Sequence, residues 1–285
     1  MWRWATLSPA LVLLLALGLL PVLNLVVLGF FDVRWADGRA SWSFVGTRHY
    51  AALAGDALFG ASIANTMLFA LGAVAGQMLL GFALALLCSK VTRGRVFWRA
   101  LFILPVLMPG IVIGAMWKLL LNPDFGAIGQ LFELVGLQPV DWLGNARIAL
   151  FSVVLVDVWH WTPFCFLLFL AGLESLPRDV YEAATVDGAD AWQELWHITL
   201  PLMWPTIVVT FVFRLVLAFK VFDEVYLLTG GGPGTATEVV SFTIYQRFFT
   251  EDRAGYGAAM AVAVIFLIFL MLAAAAAARR RVQAA

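Results

Sequence analysis

Few of the residue types that carry catalysis or metal binding occur in this chain, and they lie far apart. The three histidines, His49, His160 and His197, fall in different regions, and Cys88 and Cys165 have no neighbour at metal-ligand or disulfide spacing. No histidine pair with a carboxylate and no serine with a base stands out. The sequence therefore predicts neither an enzyme nor a metal site, and it predicts that both cysteines are small buried core residues.

A glycine-rich run at residues 230–234 has a composition that could hold a phosphate group. It lacks the lysine and the following helix pattern of a nucleotide-binding loop, and the motif G-x-x-x-x-G-K-[ST] does not occur in the chain. We therefore expect residues 229–234 to form a re-entrant or extracytoplasmic loop that touches a binding protein or the substrate.

Asp157 and Arg214 are charged residues inside long apolar segments, where a charge costs roughly 2.5–3.5 kcal/mol on membrane-insertion scales. Such side chains rarely face lipid, so we expect both in the protein interior. Counted from the ends of their segments they lie about 15 and about 12 residues deep, a difference of ~5 Å along a helix. The sequence therefore predicts an interior ion pair, structural or gating, between the two helices.

Planar polar groups and aromatic faces bind sugars, and several such residues lie in or beside the apolar segments. The candidates for a substrate path are Trp159, Asp223, Tyr226, Asn65 and Gln77, within a wider set that also holds His160, Trp161, Lys220 and Glu224. Most of this set is expected to serve in packing, and Trp and Tyr near helix ends often anchor the membrane interface.

Composition places all these residues in a membrane protein. Hydrophobic residues make up 63% of the 285 residues and charged residues only 13%, and the long apolar runs reach the about 20 residues that a bilayer-spanning helix needs. We predict an all-α membrane protein with a single domain over residues 1–285. Six transmembrane helices are expected near residues 7–31, 63–88, 100–121, 148–170, 202–222 and 256–278.

The first apolar run and the prolines add detail to this layout. The first run exceeds the about 7–15 apolar residues of a signal peptide and no A-x-A site follows it, so we expect it to remain as a membrane helix. Candidate kink points are Pro105, Pro109 with Gly110, and Pro163.

The distribution of cations predicts the orientation. Nine cations fall on one side of the six-helix layout: Arg3, Lys90, Arg93, Arg95, Arg99, Arg178, Arg279, Arg280 and Arg281. Six fall on the other: Arg34, Arg39, Arg48, Arg147, Arg247 and Arg253. Because positive charge accumulates on the cytoplasmic side, we predict that both termini are cytoplasmic. The zero formal net charge gives no reason to expect a nucleic-acid partner.

A polar segment at about residues 172–201 separates the fourth and fifth predicted helices. It contains Glu182-Ala183-Ala184, Gly188, Ile198 and Leu200-Pro201 at fixed spacing. Pro177 suits a helix start, and Gly188 can adopt the left-handed conformation that ends a helix. The first part of the segment is therefore predicted to be a short helix that lies on the membrane surface.

The second part of this segment is predicted to be another short helix. Asp190 followed by Gln193 is a capping-box pattern, and we expect the helix to end before Pro201 begins the next span. The whole segment is predicted to form a docking surface for another protein. Attachment to lipid headgroups is disfavoured because Glu182 and its acidic neighbours would be repelled by anionic lipid.

Two stretches resemble a known family. The stretch AGLESLPRDVYEAATVDGADAWQELWHITLPLMWP, from Ala171 to Pro205, is similar to the coupling loop of permease subunits in ATP-binding cassette (ABC) importers. That stretch and LLTGGGPGTATE, from Leu227 to Glu238, resemble the carbohydrate-importing, maltose-type branch. The six predicted helices depart from the maltose-type subunit, which has additional N-terminal helices, and nothing about that region is carried over.

The resemblance implies a type I ABC importer permease fold with a short cytoplasmic coupling helix between helices 4 and 5. It implies that an ATPase subunit docks on Glu182, Ala183, Ala184, Asp187 and Gly188. The chain would be a multi-pass protein of the bacterial inner membrane that forms half of the translocation path of a binding-protein-dependent sugar importer.

The resemblance also implies partners. They are a second homologous permease subunit in a heterodimer, two ATPase subunits that bind ATP and Mg²⁺, an extracytoplasmic solute-binding protein, and membrane lipid. No cofactor is expected in this chain. Two alternatives remain: the same machinery with a polyol or a glycerol-phosphate type substrate, or a secondary transporter, which would leave the docking segment unexplained.

Overall fold

Helices dominate the computed structural model, which describes the backbone of residues 2–36, 39–91 and 93–284. Side chains are described for residues 7–34, 39–91, 93–94 and 96–273. The side chains of Arg3, Arg95 and Arg279–Arg281, which contribute to the predicted orientation, lie outside the described residues.

α-Helices and one pair of strands form most of the regular structure in the described residues. In chain order the α-helices are α1 (Trp2–Leu14), α2 (Leu20–Leu28), α3 (Arg48–Leu53), α4 (Ala57–Lys90), α5 (Arg95–Ile103), α6 (Gly110–Leu120), α7 (Ala127–Leu134), α8 (Ala149–Glu174), α9 (Arg178–Val186), α10 (Ala191–Glu194), α11 (Leu200–Ala218), α12 (Asp223–Leu228), α13 (Val240–Tyr245) and α14 (Ala254–Ala284). The strands are β1 (Phe31–Ala36) and β2 (Arg39–Phe44). Short π-helical turns join α1 to α2 and α10 to α11, so each of these pairs is one continuous helix.

Five continuous helical stretches are long and apolar enough to cross a membrane. They are Leu7–Leu28, Ala57–Lys90, Ala149–Glu174, Ala191–Ala218 and Ala254–Ala273. Together with the bent pair Val96–Leu107 and Gly110–Leu120, the described residues contain up to six spans. Several ends differ from the prediction. The first span stops at Leu28 because Phe31 begins β1, the second begins at Ala57 instead of residue 63, and the fifth covers Ala191–Ala218 instead of residues 202–222.

The predicted third helix, residues 100–121, is not continuous. The chain bends by 94° between α5 and α6. Met108 and Pro109 both adopt extended backbone conformations at the bend. For Met108 the cause is the proline ring, which disfavours the helical conformation of the residue before it. The candidate kink at Pro109 with Gly110 is thus a break in the span, whereas Pro163 lies inside the unbroken helix α8.

Two glycines set the contact between α6 and α12. Gly110 and Gly114 are four residues apart and therefore share one face of α6. A Cβ atom added at Gly114 would lie 2.7 Å from Leu227 Cβ, and one added at Gly110 would lie 2.7 Å from Asp223 Oδ2. Small residues at this spacing let two helices approach closely, and in this chain they hold α12, with Asp223 at its first position, against α6.

The contacts of the chain group into two compact units, residues 1–63 with 240–285 and residues 64–239. The core of the first unit is built around Leu53, Phe59, Tyr256, Met260 and neighbouring side chains. The core of the second unit is built around Cys88, Cys165, Phe166, Phe169 and Met203. Both cysteines are free and buried, as predicted. The single domain over residues 1–285 stays a prediction.

The structure adds a β-hairpin to the predicted helices. In the first unit β1 and β2 pair antiparallel, with Phe31 opposite Phe44 and Ala36 opposite Arg39.

The side-chain oxygens of Asp56 accept bonds from the backbone N–H groups of Leu58 and Phe59 and from the hydroxyl of Tyr256. Partial burial alone would raise the pKa of Asp56, but these hydrogen bonds and Arg247 hold it below its usual value.

We expect Gly114→Ala to lower the thermal stability of the detergent-solubilised chain, because the added methyl group would overlap Leu227. Overpacking of this kind costs about 1–3 kcal/mol. Gly60→Ala in α4 is the matched control, since a Cβ atom there meets nothing within 4 Å. Thermal denaturation followed by tryptophan fluorescence compares the two variants. Equal melting temperatures would contradict the close α6–α12 contact.

Candidate functional site

Three polar side chains from three helices meet in the interior of the second unit. Gln77 of α4 donates from Nε2 to Asp157 Oδ2 of α8 at 2.6 Å, and Arg214 Nε of α11 donates to Gln77 Oε1 at 2.7 Å. Arg214 Nη2 lies 3.4 Å from Asp157 Oδ2. The charged residues singled out by sequence are therefore in contact, and Gln77 bridges them.

The three side chains of this network are buried, so their contacts matter for stability. Gln77, Asp157 and Arg214 expose at most 2% of their surface, so each charge depends on its protein partners for solvation. The Arg214 guanidinium also lies over the Trp161 ring, 4.7 Å from its centroid, an arrangement that attracts a cation electrostatically. The network joins α4, α8 and α11 at one point.

A second buried pair lies beside the first. His160 Nδ1 of α8 lies 2.9 Å from Glu224 Oε1 of α12, and both residues are buried. Sequence reasoning placed both residues in its wider polar set but did not pair them. Sequence patterns give little indication of this pair because Glu224 follows a turn. Its carboxylate reaches α8 only because α12 packs onto α6.

A cavity of about 290 Å³ adjoins both pairs. Its ionisable lining consists of Asp157, His160, Arg214, Lys220, Asp223 and Glu224, and Trp161 contributes an aromatic face. Among the described residues, no group of three or more His, Cys, Asp and Glu side chains could hold a metal ion. The cavity is therefore a polar, mixed-charge recess inside a largely apolar helical protein.

The remaining predicted substrate-path residues lie elsewhere or have structural partners. Trp159 and Tyr226 do not line this cavity; Trp159 packs edge-on against Trp117 at 5.5 Å, and Tyr226 stacks on Phe222 at 5.4 Å. Both are partly exposed. Asn65 donates from Nδ2 to the carbonyl oxygens of Thr235 and Glu238, at 2.9 and 3.0 Å. Of the five residues predicted for the substrate path, the structure therefore places only Asp223 at the cavity.

The glycine-rich segment is ordered by local hydrogen bonds. Gly230, Gly231 and Gly234 have positive φ values, which glycine adopts without strain. The Thr237 hydroxyl contacts the Gly232 carbonyl oxygen at 2.7 Å and Thr229 Oγ1 at 2.6 Å. The segment is a compact turn after α12, and Asn65 anchors its far end.

The predicted docking segment forms a helix with a glycine stop. α9 covers Arg178–Val186, and Gly188 has φ 76°. The N–H of Ala189 bonds to the carbonyl of Ala184 at 2.9 Å, and the N–H of Gly188 bonds to that of Thr185 at 3.2 Å. This bond pair is the Schellman motif, in which the glycine satisfies the last carbonyls of a helix.

The second part of the segment differs from its prediction at its far end. Asp190 and Gln193 form the predicted capping box, but the helix continues through Pro201 to Ala218. A π-helical turn at Leu195–Thr199 precedes the proline. Pro201 lies inside this continuous helix, and the π-helical turn before it is the kind of local adjustment that accommodates a proline in a membrane helix.

Most of α9 and of the following turn is exposed. Glu182, Ala183, Asp187 and Gly188 face outward, whereas Ala184 is buried against its own chain. Val186 is 87% exposed. Trp192 and Trp196 are also exposed and pack edge-on at 5.6 Å. The segment presents an acidic surface interspersed with large apolar side chains, and Ala184 belongs to its inner face.

One side-chain hydrogen bond ties α9 to the next membrane helix. Tyr181 Oη lies 3.0 Å from Thr199 Oγ1, and Thr199 is buried in the π-helical turn that leads into α11. Both residues line a small cavity of about 230 Å³ with Ser89 and Lys90 at the end of α4. The inner face of α9 is therefore held by Tyr181 and Ala184.

Comparisons with known proteins agree with this architecture. Residues 77–284 match the family model described as the binding-protein-dependent transport system inner membrane component. The trehalose/maltose transport system permease protein MalF of Thermococcus litoralis is 35% identical over 258 residues, which cover 90% of this chain and 85% of that protein. The sulfoquinovosyl glycerol transport system permease protein SmoG of Agrobacterium fabrum is 33% identical over 261 residues, with 92% and 84% covered.

A solved structure shares the fold. In the crystal structure of a bacterial ABC transporter involved in the import of the acidic polysaccharide alginate, one chain aligns with a TM-score of 0.86. The sequence identity is 24%, and the alignment covers 98% of this chain and 95% of that chain.

The buried network predicts a specific pattern of stabilities. Arg214→Met leaves the Asp157 carboxylate buried without its cation, and breaking a buried pair in this way costs about 3–5 kcal/mol. We expect the double variant Asp157→Asn with Arg214→Met to be more stable than Arg214→Met alone, because no uncompensated charge remains. Thermal denaturation of the wild type, both single variants and the double variant measures the coupling. Additive losses in the double variant would contradict the pairing.

Proposed function

The chain belongs to the family of binding-protein-dependent transport system inner membrane components, and from this membership we propose that it forms half of the translocation path of an ATP-driven carbohydrate importer. It is a transmembrane permease subunit and not an enzyme. ATP hydrolysis belongs to a separate ATPase subunit, which also carries ATP and Mg²⁺. This membership removes the secondary-transporter alternative.

The exposed surface of α9 and the turn after it carries the proposal for coupling. Glu182, Ala183, Asp187 and Gly188 would contact the ATPase, with Glu182 meeting a cation there. Ala184 lies on the inner face of α9, where its small side chain would let α9 pack closely against the rest of this chain. Val186 adds an apolar side chain that is 87% exposed in the isolated chain, as expected of a side chain that a partner covers.

The polar cavity carries the proposal for the substrate path. Carboxylates, an imidazole and the Trp161 face, which line it, are groups that bind polyhydroxylated molecules through hydrogen bonds and stacking. Asp223 would contact the substrate directly. Asn65 and Gln77 would support the path indirectly, Asn65 through the glycine-rich turn and Gln77 through the buried network. Trp159 and Tyr226, which are partly exposed, would contribute at its edge.

The substrate proposal is also supported by relatives. The MalF relative is named for trehalose and maltose transport, and the SmoG relative for sulfoquinovosyl glycerol transport. A saccharide fits these names and the cavity. The alternative of a polyol in the same machinery shares the hydroxyl chemistry, whereas a glycerol phosphate would need cations that the buried network already engages.

We infer the partners from the family to which the chain belongs and the orientation from the distribution of charge. No residue in the most apolar part of the stretch Leu7–Leu28 is buried within this chain, so lipid or a second permease subunit must cover it. We assign a heterodimer of homologous permeases in the inner membrane, with both termini and α9 cytoplasmic. An extracytoplasmic solute-binding protein would deliver the sugar from the other side.

The mechanism that fits these parts is alternating access. ATP binding would close the ATPase pair and move α9, and the flanking helices α8 and α11 would follow and open the cavity outward. Hydrolysis would reset the inward-facing state. The chain needs only two packings of its helices, because its partners shift the equilibrium through their different affinities for each packing.

The coupling proposal predicts that Glu182→Lys reduces retention of the ATPase when this chain is purified in mild detergent with its partner subunits. Retained ATPase activity per permease is the measurement, and we expect a loss of about tenfold, equivalent to about 1.4 kcal/mol. Glu133→Lys is the matched control, because Glu133 is an exposed glutamate on α7. Equal retention by the two variants would overturn the role of Glu182.

A further inference from the structure

We propose that the cavity beside the buried network selects an uncharged saccharide over an anionic one. This inference rests on the proposed carbohydrate-importer function and specifies its substrate class. The comparisons leave the choice open, since the similar alginate importer takes an acidic polysaccharide and the SmoG relative is named for sulfoquinovosyl glycerol, a sulfonated saccharide. The MalF relative is named for trehalose and maltose, which are neutral.

The charges that line the cavity are the first argument. Three carboxylates, Asp157, Asp223 and Glu224, face two cations, Arg214 and Lys220. With His160 neutral the lining carries one more negative than positive charge, and a protonated His160 only balances it. An anionic ligand entering this recess therefore finds no excess of positive charge, and weak solvent screening strengthens the repulsion.

The engagement of Arg214 is the second argument. Its Nε donates to Gln77, its Nη2 faces Asp157, and its guanidinium lies over the Trp161 ring. A planar guanidinium binds a carboxylate or sulfonate best through two parallel donors. The edge formed by Nε and Nη2 is directed at Gln77 and Asp157, so an acidic substrate could bind along this edge only by breaking the buried network.

Lys220 does not supply the missing cation site. It is exposed and lies three residues before Asp223, whose carboxylate is also exposed at the same cavity. Asp223 brings a negative charge to the same cavity lining. Since a lysine ammonium is a strongly hydrated point charge on a flexible stem, it contributes little selective binding of an anion at this cavity.

What the lining offers instead is a set of acceptors and one aromatic face. Carboxylate oxygens accept hydrogen bonds from hydroxyl groups, and Asp223 presents such oxygens at the exposed rim. Trp161 also lines the cavity; because Arg214 covers one face of its ring, only the other face can pack against an apolar sugar face. A neutral polyhydroxylated ligand satisfies these groups without adding charge.

The test compares two trisaccharides of equal length on the complete importer in nanodiscs without its binding protein. The probes are maltotriose and trigalacturonate, and saturation-transfer NMR measures weak binding of each. We expect about tenfold more saturation transfer to the neutral probe. Asp223→Asn should reduce this preference severalfold, because it removes one negative charge with little change in shape. Asp124→Asn, an exposed aspartate outside the cavity lining, should leave the preference unchanged.

The outcomes separate this inference from the function on which it rests. Equal or stronger transfer to trigalacturonate, or no transfer to either probe, overturns the selection of neutral saccharides by this cavity. An unchanged preference in Asp223→Asn overturns the electrostatic explanation. The carbohydrate-importer function itself fails only if the cognate binding protein, assayed separately by calorimetry, binds no saccharide of either class.

Discussion

Arg214 can lie within an apolar helix because Asp157 and Gln77 surround its guanidinium with acceptors. A membrane interior offers no water to replace these partners, so the three side chains must stay together. Their contact fixes α4, α8 and α11 at one depth. α8 and α11 are also the helices that flank α9. The buried network therefore connects α9, the proposed coupling helix, to the polar cavity beside Trp161 and Glu224.

Local physics made much of this architecture predictable from the sequence. Long apolar runs locate the membrane helices, and the contact between Asp157 and Arg214 follows from matched depth and the cost of charge in lipid. The helix stop at Gly188 and the capping box of Asp190 and Gln193 involve only residues that are close in sequence, so both are encoded locally. These predictions needed no knowledge of tertiary contacts.

Features that depend on packing between distant segments could not be read from the sequence. Gln77 is an ordinary polar residue until α4 brings it between two charges, and Glu224 reaches His160 only because Gly110 and Gly114 let α12 approach α6. The break before α6 is encoded by Pro109, but its 94° angle is a tertiary outcome. The β-hairpin had a local signal in the Asp-Gly dipeptide at residues 37–38, which the strength of the apolar runs obscured.

In the proposed mechanism, α9 transmits movement of the ATPase to α11 through its inner face. The direct measurement is ATP hydrolysis by the complete importer in liposomes, with and without substrate-loaded binding protein, for Tyr181→Phe and the control Thr185→Ala. Tyr181→Phe removes the hydroxyl that contacts Thr199, whereas Thr185 bonds only within α9. We expect Tyr181→Phe to keep basal hydrolysis but to lose most of the stimulation by binding protein, and Thr185→Ala to keep both. Full stimulation in Tyr181→Phe would contradict it.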